Sequence, residues 1–223
     1  ANVDLSVTCW VVMALKSAIL VGLDVPSDVL PGAVAYGEYV TGKEGLVGYR
    51  NPYMAGEKVS GPGDEFAYHT ATISALGMLV RTFVRHDLDD PFLELASKQI
   101  VKDLPTVSKD KLSIDYYYWY YATLALNQFD GPDSPRKGSG RYWEPWNKDL
   151  VSAILGLQDS TKSRDSCARG GWLDNDRWGG HTGYALYNTA INVLTLEVYY
   201  RYENAFGVAP AKDAPVPAIQ KPK

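Results

Sequence analysis

One stretch constrains the fold of this chain more than any other: Asp115 to Phe129, whose first turns read Tyr116-Tyr117-Tyr118-Trp119-Tyr120-Tyr121 before Ala122-Thr123-Leu124-Ala125-Leu126. At helical spacing Tyr116, Trp119, Tyr120 and Thr123 share one side, and Tyr117, Tyr121, Leu124 and Gln128 another, so no side is left for water. A strand competes for the Tyr/Trp residues, but the run is long and ends in strong helix formers. We therefore predict an inner helix, with Asp115 as its N-cap.

A chain of 223 residues with 46% hydrophobic content suits one sizeable core. The formal charge of -4 and the lack of any Lys/Arg cluster argue against a nucleic-acid partner. The longest apolar run, Val7 to Val21, is short for a bilayer and contains Lys16, so no transmembrane segment is expected. The first methionine, Met13, stands inside a helical pattern, which leads us to expect a removed upstream segment: an export signal or a preceding domain. Compartment is left open. Two cysteines, Cys9 and Cys167, are too few for a disulfide scaffold and read as free thiols, with a single bridge as the alternative.

In chain order, helices are expected at about 4–21, 26–39, 65–85, 91–104, 115–129, 146–158 and 184–201, with a glycine-rich loop over 45–63. The first is capped by Asp4 or Ser6. Its odd-numbered companions share its character, apolar on nearly every side, while those at 26–39, 91–104 and 146–158 carry one apolar stripe. Such alternation is that of helical hairpins whose apolar members lie inside and whose amphipathic members form an outer layer. The fold class is thus all-α, an α/α-toroid of helical hairpins over residues 1–207, incomplete at about three and a half hairpins, followed by a Pro/Ala/Lys-rich flexible tail over 208–223.

Three places resemble the α/α-toroids of squalene cyclases, terpenoid cyclases and protein prenyltransferase β subunits. Ile154-Leu155-Gly156-Leu157-Gln158 followed by Gly170-Gly171-Trp172 is similar to the Gln-to-Trp motif that fastens neighbouring hairpins in squalene cyclases, with a longer intervening loop. Gly45-Leu46-Val47-Gly48-Tyr49 resembles a copy lacking both the Gln and the Trp. The inner-helix starts at Asp4-Leu5-Ser6, Tyr68-His69-Thr70 and Tyr187-Asn188-Thr189 complete the set.

The resemblance implies two chemistries. Cyclases of the hopene type use an Asp-x-Asp-Asp acid, and Asp87-Leu88-Asp89-Asp90 has those letters; but it opens the helix at 91, where Asp90 before Pro91 suits a cap. Prenyltransferases hold zinc with an Asp-x-Cys and a His, which look like Asp4-Leu5-Ser6 and His69 here. Ser6 replaces the thiolate, and a neutral hydroxyl is a poor zinc donor, so no metal and no cofactor is expected; Asp165, Cys167 and His181 form a weaker alternative set. The expected function is a non-catalytic toroid module binding an apolar or isoprenoid small molecule or a protein partner. The alternatives are a cyclase- or prenyltransferase-type enzyme completed by the upstream segment, and a polysaccharide lyase or hydrolase with Tyr and His as acid and base.

Parallel inner helices would gather their N-termini at one mouth, placing Asp4, His69, Asp115, Tyr184 and Asn188 around it, with Tyr116, Tyr117, Trp119 and Tyr120 as an aromatic wall below. An amphiphile with an anionic head is the ligand type this implies, against plain core packing for the aromatic residues and cap roles for the two aspartates. Because residues 208–223 offer no apolar face, their deletion is expected to leave the thermal unfolding midpoint unchanged; a midpoint lowered by several degrees would show a docked tail.

Overall fold

The structure, a computed structural model, describes residues 4–52, 58–61, 64–67, 70–111, 113–134, 136, 139–161, 167–173, 176 and 185–201. Among them seven helices carry the fold: α1 (Leu5–Leu20), α2 (Val29–Tyr39), α3 (Thr70–Arg85), α4 (Pro91–Ile100), α5 (Tyr116–Asp130), α6 (Trp143–Leu157) and α7 (Ala185–Arg201). A short 3-10 turn, Lys43–Gly45, follows α2, and β1 (Lys58–Gly61) pairs antiparallel with β2 (Asp64–Ala67).

The expected all-α class holds but for that hairpin. Residues 65–67 belong to β2, in register with Lys58–Ser60, where the sequence reading placed loop and helix. Gly61-Pro62-Gly63-Asp64 carries turn chemistry that competes with helix initiation. Two helix ends also differ. α6 starts at Trp143, because Pro145 is tolerated in a first helical turn and because Asp130 Oδ2, at the end of α5, accepts the backbone N–H of Tyr142 (2.7 Å) and Trp143 (3.3 Å). α4 stops at Ile100, whose carbonyl receives the Tyr118 hydroxyl from α5 at 2.9 Å.

The odd-numbered helices form one layer in sequence order, α1 on α3, α3 on α5 and α5 on α7. α2 lies against α1 and α3, α4 against α3 and α5, and α6 against α5. The layer is parallel. Lys16 near the end of α1 meets His86 just beyond α3, with Nζ and Nε2 3.0 Å apart, while Ser6, Tyr117 and Tyr187, near the starts of α1, α5 and α7, form one electrostatic cluster. Among the described residues no packing of comparable extent joins α7 to α1.

The aromatic helix is the centre of the core. Tyr116, Tyr118, Trp119, Tyr120 and Tyr121 are each at most 2% exposed. Trp146 of α6 meets Tyr118 edge-on at 5.3 Å and donates its indole N–H to Thr123 Oγ1 at 3.0 Å. A second anchor joins three elements on the other side. Arg81, almost fully buried on α3, bonds Asp90 Oδ2 (3.1 Å) at the start of α4 and Thr41 Oγ1 (3.0 Å) after α2, with its guanidinium over Phe92.

The 3-10 turn is held as tightly. Gly45 has φ +79, and its carbonyl accepts Ser74 Oγ from α3 at 2.7 Å. A Cβ there would stand 2.4 Å from backbone atoms of Leu95 and Ala96 on α4. Gly45→Ala therefore combines left-handed strain with overpacking and is expected to lower stability by about 2–4 kcal/mol, measured by denaturant unfolding.

Candidate binding site

Asp4 caps α1: its Oδ1 accepts the Val7 N–H at 2.9 Å and the Ser6 hydroxyl at 2.7 Å. Ser6 Oγ lies 3.3 Å from Tyr49 Oη, and the Tyr49 carbonyl accepts the Leu5 N–H. Asp115 caps α5 in the same way through the Tyr118 N–H at 2.9 Å. The cap roles assigned to both aspartates thus hold, and so does that of Asp90, which accepts the Phe92 N–H.

From this capped end projects a group of hydroxyls. Tyr117 alone among residues 116–121 is only half-buried; the others have their rings closed in by protein. Its hydroxyl lies among Ser6, Tyr121, Cys9 and Tyr49, and burial above all pushes its pKa up to about 12. Tyr187, in the first turn of α7, is raised further, by burial first and then by the negative field of Asp176 and Asp115. Its Oη is buried without a hydrogen-bond partner. Tyr49 is raised too, again chiefly by burial. These phenols are therefore held protonated at neutral pH, as hydrogen-bond donors rather than bases.

Of the residues expected at a common mouth, Asp4 and Asp115 lie at this end, where Tyr117 of the expected aromatic wall joins them, and Asn188 is fully buried in the start of α7. Tyr116, Trp119 and Tyr120 are core residues: Tyr116 and Trp119 pack edge-on at 5.4 Å, and Tyr120 stacks on Trp10 of α1 at 6.5 Å. His69 and Tyr184 lie outside the described residues, as do Asp165, His181 and residues 208–223. The sequence reading missed Ser6 as a link, Tyr49 and the buried Asp176, and had Tyr187 only as part of the helix start beside Asn188. Tyr49 and Asp176 sit in segments without periodicity, which hides their direction. Trp10, 44% exposed and edge-on to Tyr121 at 5.7 Å, is the accessible aromatic face nearest this cluster.

Cys9 and Cys167 are free thiols, the first buried and the second exposed. Burial pushes the Cys9 thiol well above its ordinary range, which makes it a poor metal donor or nucleophile. Among the described residues no cluster of three or more His, Cys, Asp or Glu could hold a metal ion. Asp87 Oδ1 accepts the Asp89 N–H, so the Asp-x-Asp-Asp letters here build a turn and a cap.

At the opposite joint, Gln158 ends α6 and bridges Trp172. The Trp172 indole donates to the Ile154 carbonyl at 2.9 Å, its backbone N–H to Thr189 Oγ1 on α7 at 3.2 Å, and Gln158 Nε2 to the Gly170 carbonyl at 2.9 Å. The joint between α2 and α3 repeats this plan: Thr41 bridges Val47, and Val47 packs beneath Gly77 of α3. No protein-family model matches the chain, and neither does any curated protein or solved structure. No helix among the described residues is long and apolar enough to cross a membrane.

The Tyr117 shift has a signed consequence for stability. A phenol whose pKa rises from 10.0 unfolded to about 12 folded leaves the fold fully stable below the lower value and weakens it as pH climbs between the two. Tyr117→Phe is expected to flatten the loss of stability over that window, read by denaturant unfolding at several alkaline pH values.

Proposed function

We propose that the chain is part of a squalene cyclase- or prenyltransferase-like α/α-toroid that works as a binding module and not as a catalyst. Support for the hairpin plan comes from the Gln158–Trp172 fastening, its Thr41–Val47 counterpart and the parallel layer of α1, α3, α5 and α7. The ligand of this reading is an apolar or isoprenoid molecule held at the N-terminal end of that layer. One observation carries it: the half-buried hydroxyls of Ser6, Tyr49, Tyr117 and Tyr187 converge there, with the Tyr187 oxygen buried and unpaired. Trp10 offers an apolar face for a hydrocarbon body.

The head group follows from charge. Carboxylates of Asp4 and Asp115 already occupy the helix N-termini that a diphosphate would need, and Asp176 adds a third negative group near Tyr187. A neutral head that accepts hydrogen bonds from protonated phenols suits this end better than the anionic head inferred from helix dipoles alone. An enzyme completed by an upstream segment and a polysaccharide lyase or hydrolase with Tyr and His as acid and base are the other readings.

Titration calorimetry with a long-chain isoprenoid alcohol and with the matching diphosphate tests the proposal. The alcohol is expected to bind, the diphosphate at least about tenfold more weakly, and Tyr117→Phe to weaken the alcohol by roughly 1 kcal/mol, one hydrogen bond. Absence of heat with both ligands would remove the ligand and leave a scaffold.

A further inference from the structure

An open groove of about 480 Å³ runs along the solvent side of α4, between the 3-10 turn and the start of α6. That volume falls within the range of about 300–1,000 Å³ usual for small-molecule sites. Leu95, Val101 and the ring of Tyr142 give it an apolar surface, while Lys98, Lys102 and Arg141 line it with positive charge, on a chain whose net charge is -4. The cations come from two separate elements. Lys98 and Lys102 stand at the C-terminal end of α4, where the helix dipole alone would account for them. It does not account for Arg141, which precedes α6 and lines the same groove with its guanidinium 5.2 Å from the Tyr142 ring centroid.

Their charge is not used up within the chain. Glu94 takes one part of it: its carboxylate accepts the Tyr142 hydroxyl and lies 3.5 Å from Lys98 and 3.6 Å from Arg141. Lys102 meets no carboxylate among the described residues, and its ammonium donates to the neutral Gln99 Oε1 at 2.9 Å. Three cations against two carboxylates, Glu94 and the Glu44 of the groove wall, leave one positive charge in excess. The walls are also fixed in place. Gln99 Nε2 donates to the Glu44 carbonyl at 2.6 Å and ties the 3-10 turn to α4, while Asp130 Oδ2 holds the backbone N–H of Tyr142 at 2.7 Å. A pre-set groove of this kind lowers the ordering cost of taking up a ligand. The geometry points to a second binding site here, for a flat aromatic monocarboxylate. Its carboxylate meets the ammonium of Lys102, and its ring lies along Leu95, Val101 and the planar faces of Arg141 and Tyr142. None of these residues belongs to the hydroxyl-lined end of the layer, and the preferred charge is the opposite one, so the two sites are separable.

Equilibrium dialysis of 2-naphthoate against the full chain is the test, with neutral 2-naphthol as the comparison ligand. The carboxylate is expected to bind saturably and about tenfold or more tighter than the naphthol, the size of a charge-assisted hydrogen bond. Lys102→Glu and Arg141→Glu are each expected to weaken it by about tenfold or more, since an attraction becomes a repulsion. Both side chains are exposed, so neither change touches the core. Lys148→Glu, on α6 and outside the groove, alters the net charge by the same amount and is expected to leave the affinity unchanged, as is Tyr117→Phe. No binding of 2-naphthoate, naphthol binding as tightly, affinity that survives Lys102→Glu, or an equal loss in Lys148→Glu or Tyr117→Phe would each overturn the inference. Circular dichroism verifies folding of the variants, and Lys102→Gln, with an expected loss of about threefold, replaces Lys102→Glu if that chain has lost helix.

Discussion

Everything in this fold depends on burying a helix whose side chains are bulky rings with polar tips. A tyrosine ring gains from leaving water, but its hydroxyl loses hydrogen bonds unless the protein returns them. In α5 the tips are put to use. Tyr118 sends its hydroxyl to the last carbonyl of α4, a group that a helix end leaves open, and so joins two helices with the atom that would otherwise oppose burial. Thr123 accepts the Trp146 indole and fastens α6. Tyr117 is the exception: its position half out of the core turns its hydroxyl toward Ser6 and the capped helix starts.

Two joints between helices share one kind of backbone bridge and differ in their side chains. At Gln158 and Trp172 the side chains make the joint, through an indole N–H and an amide. At Thr41 and Val47 the bridge is the same, yet the side chains differ: Val47 fills the space beside Gly77, and the Thr41 hydroxyl accepts from Arg81. In both cases an antiparallel backbone bridge precedes the next helix of the layer. The side chain above it only has to exclude water, and Val does so in less space than Trp.

This explains what could be read in the sequence and what could not. The helices were legible because α1, α3 and α5 break the usual amphipathic rule in the same way, and caps such as Asp4, Asp90 and Asp115 act within four residues of the groups they bind. The β1–β2 hairpin was missed because its pairing partners flank a turn inside a stretch read as glycine-rich loop running into helix. Site direction was the harder matter. Helical spacing puts Tyr116, Trp119 and Tyr120 on one side, but spacing does not say what faces that side; here it is Trp10 and the rest of the core. Tyr49 and Asp176 reach the cluster from segments outside any helix, where no period reveals them.

The charge at the helix starts decides between two uses of the same architecture. Parallel helices place several positive dipole ends together, and such an end is a ready anion site while its N–H groups are open. Here Asp4 and Asp115 accept those N–H groups themselves, with hydrogen bonds of 2.9 Å, so the dipoles are neutralised from within the chain. On the proposed reading, a ligand would meet the phenols and Ser6 beside these caps. The phenol donors are weaker than a bare helix end but stay protonated, since burial above all, and after it the carboxylates that close the dipoles, raises the pKa values at Tyr187 and Tyr49. On the same reading an anionic head group would meet the Asp4 and Asp115 carboxylates, whereas a neutral one would meet phenol donors without that repulsion.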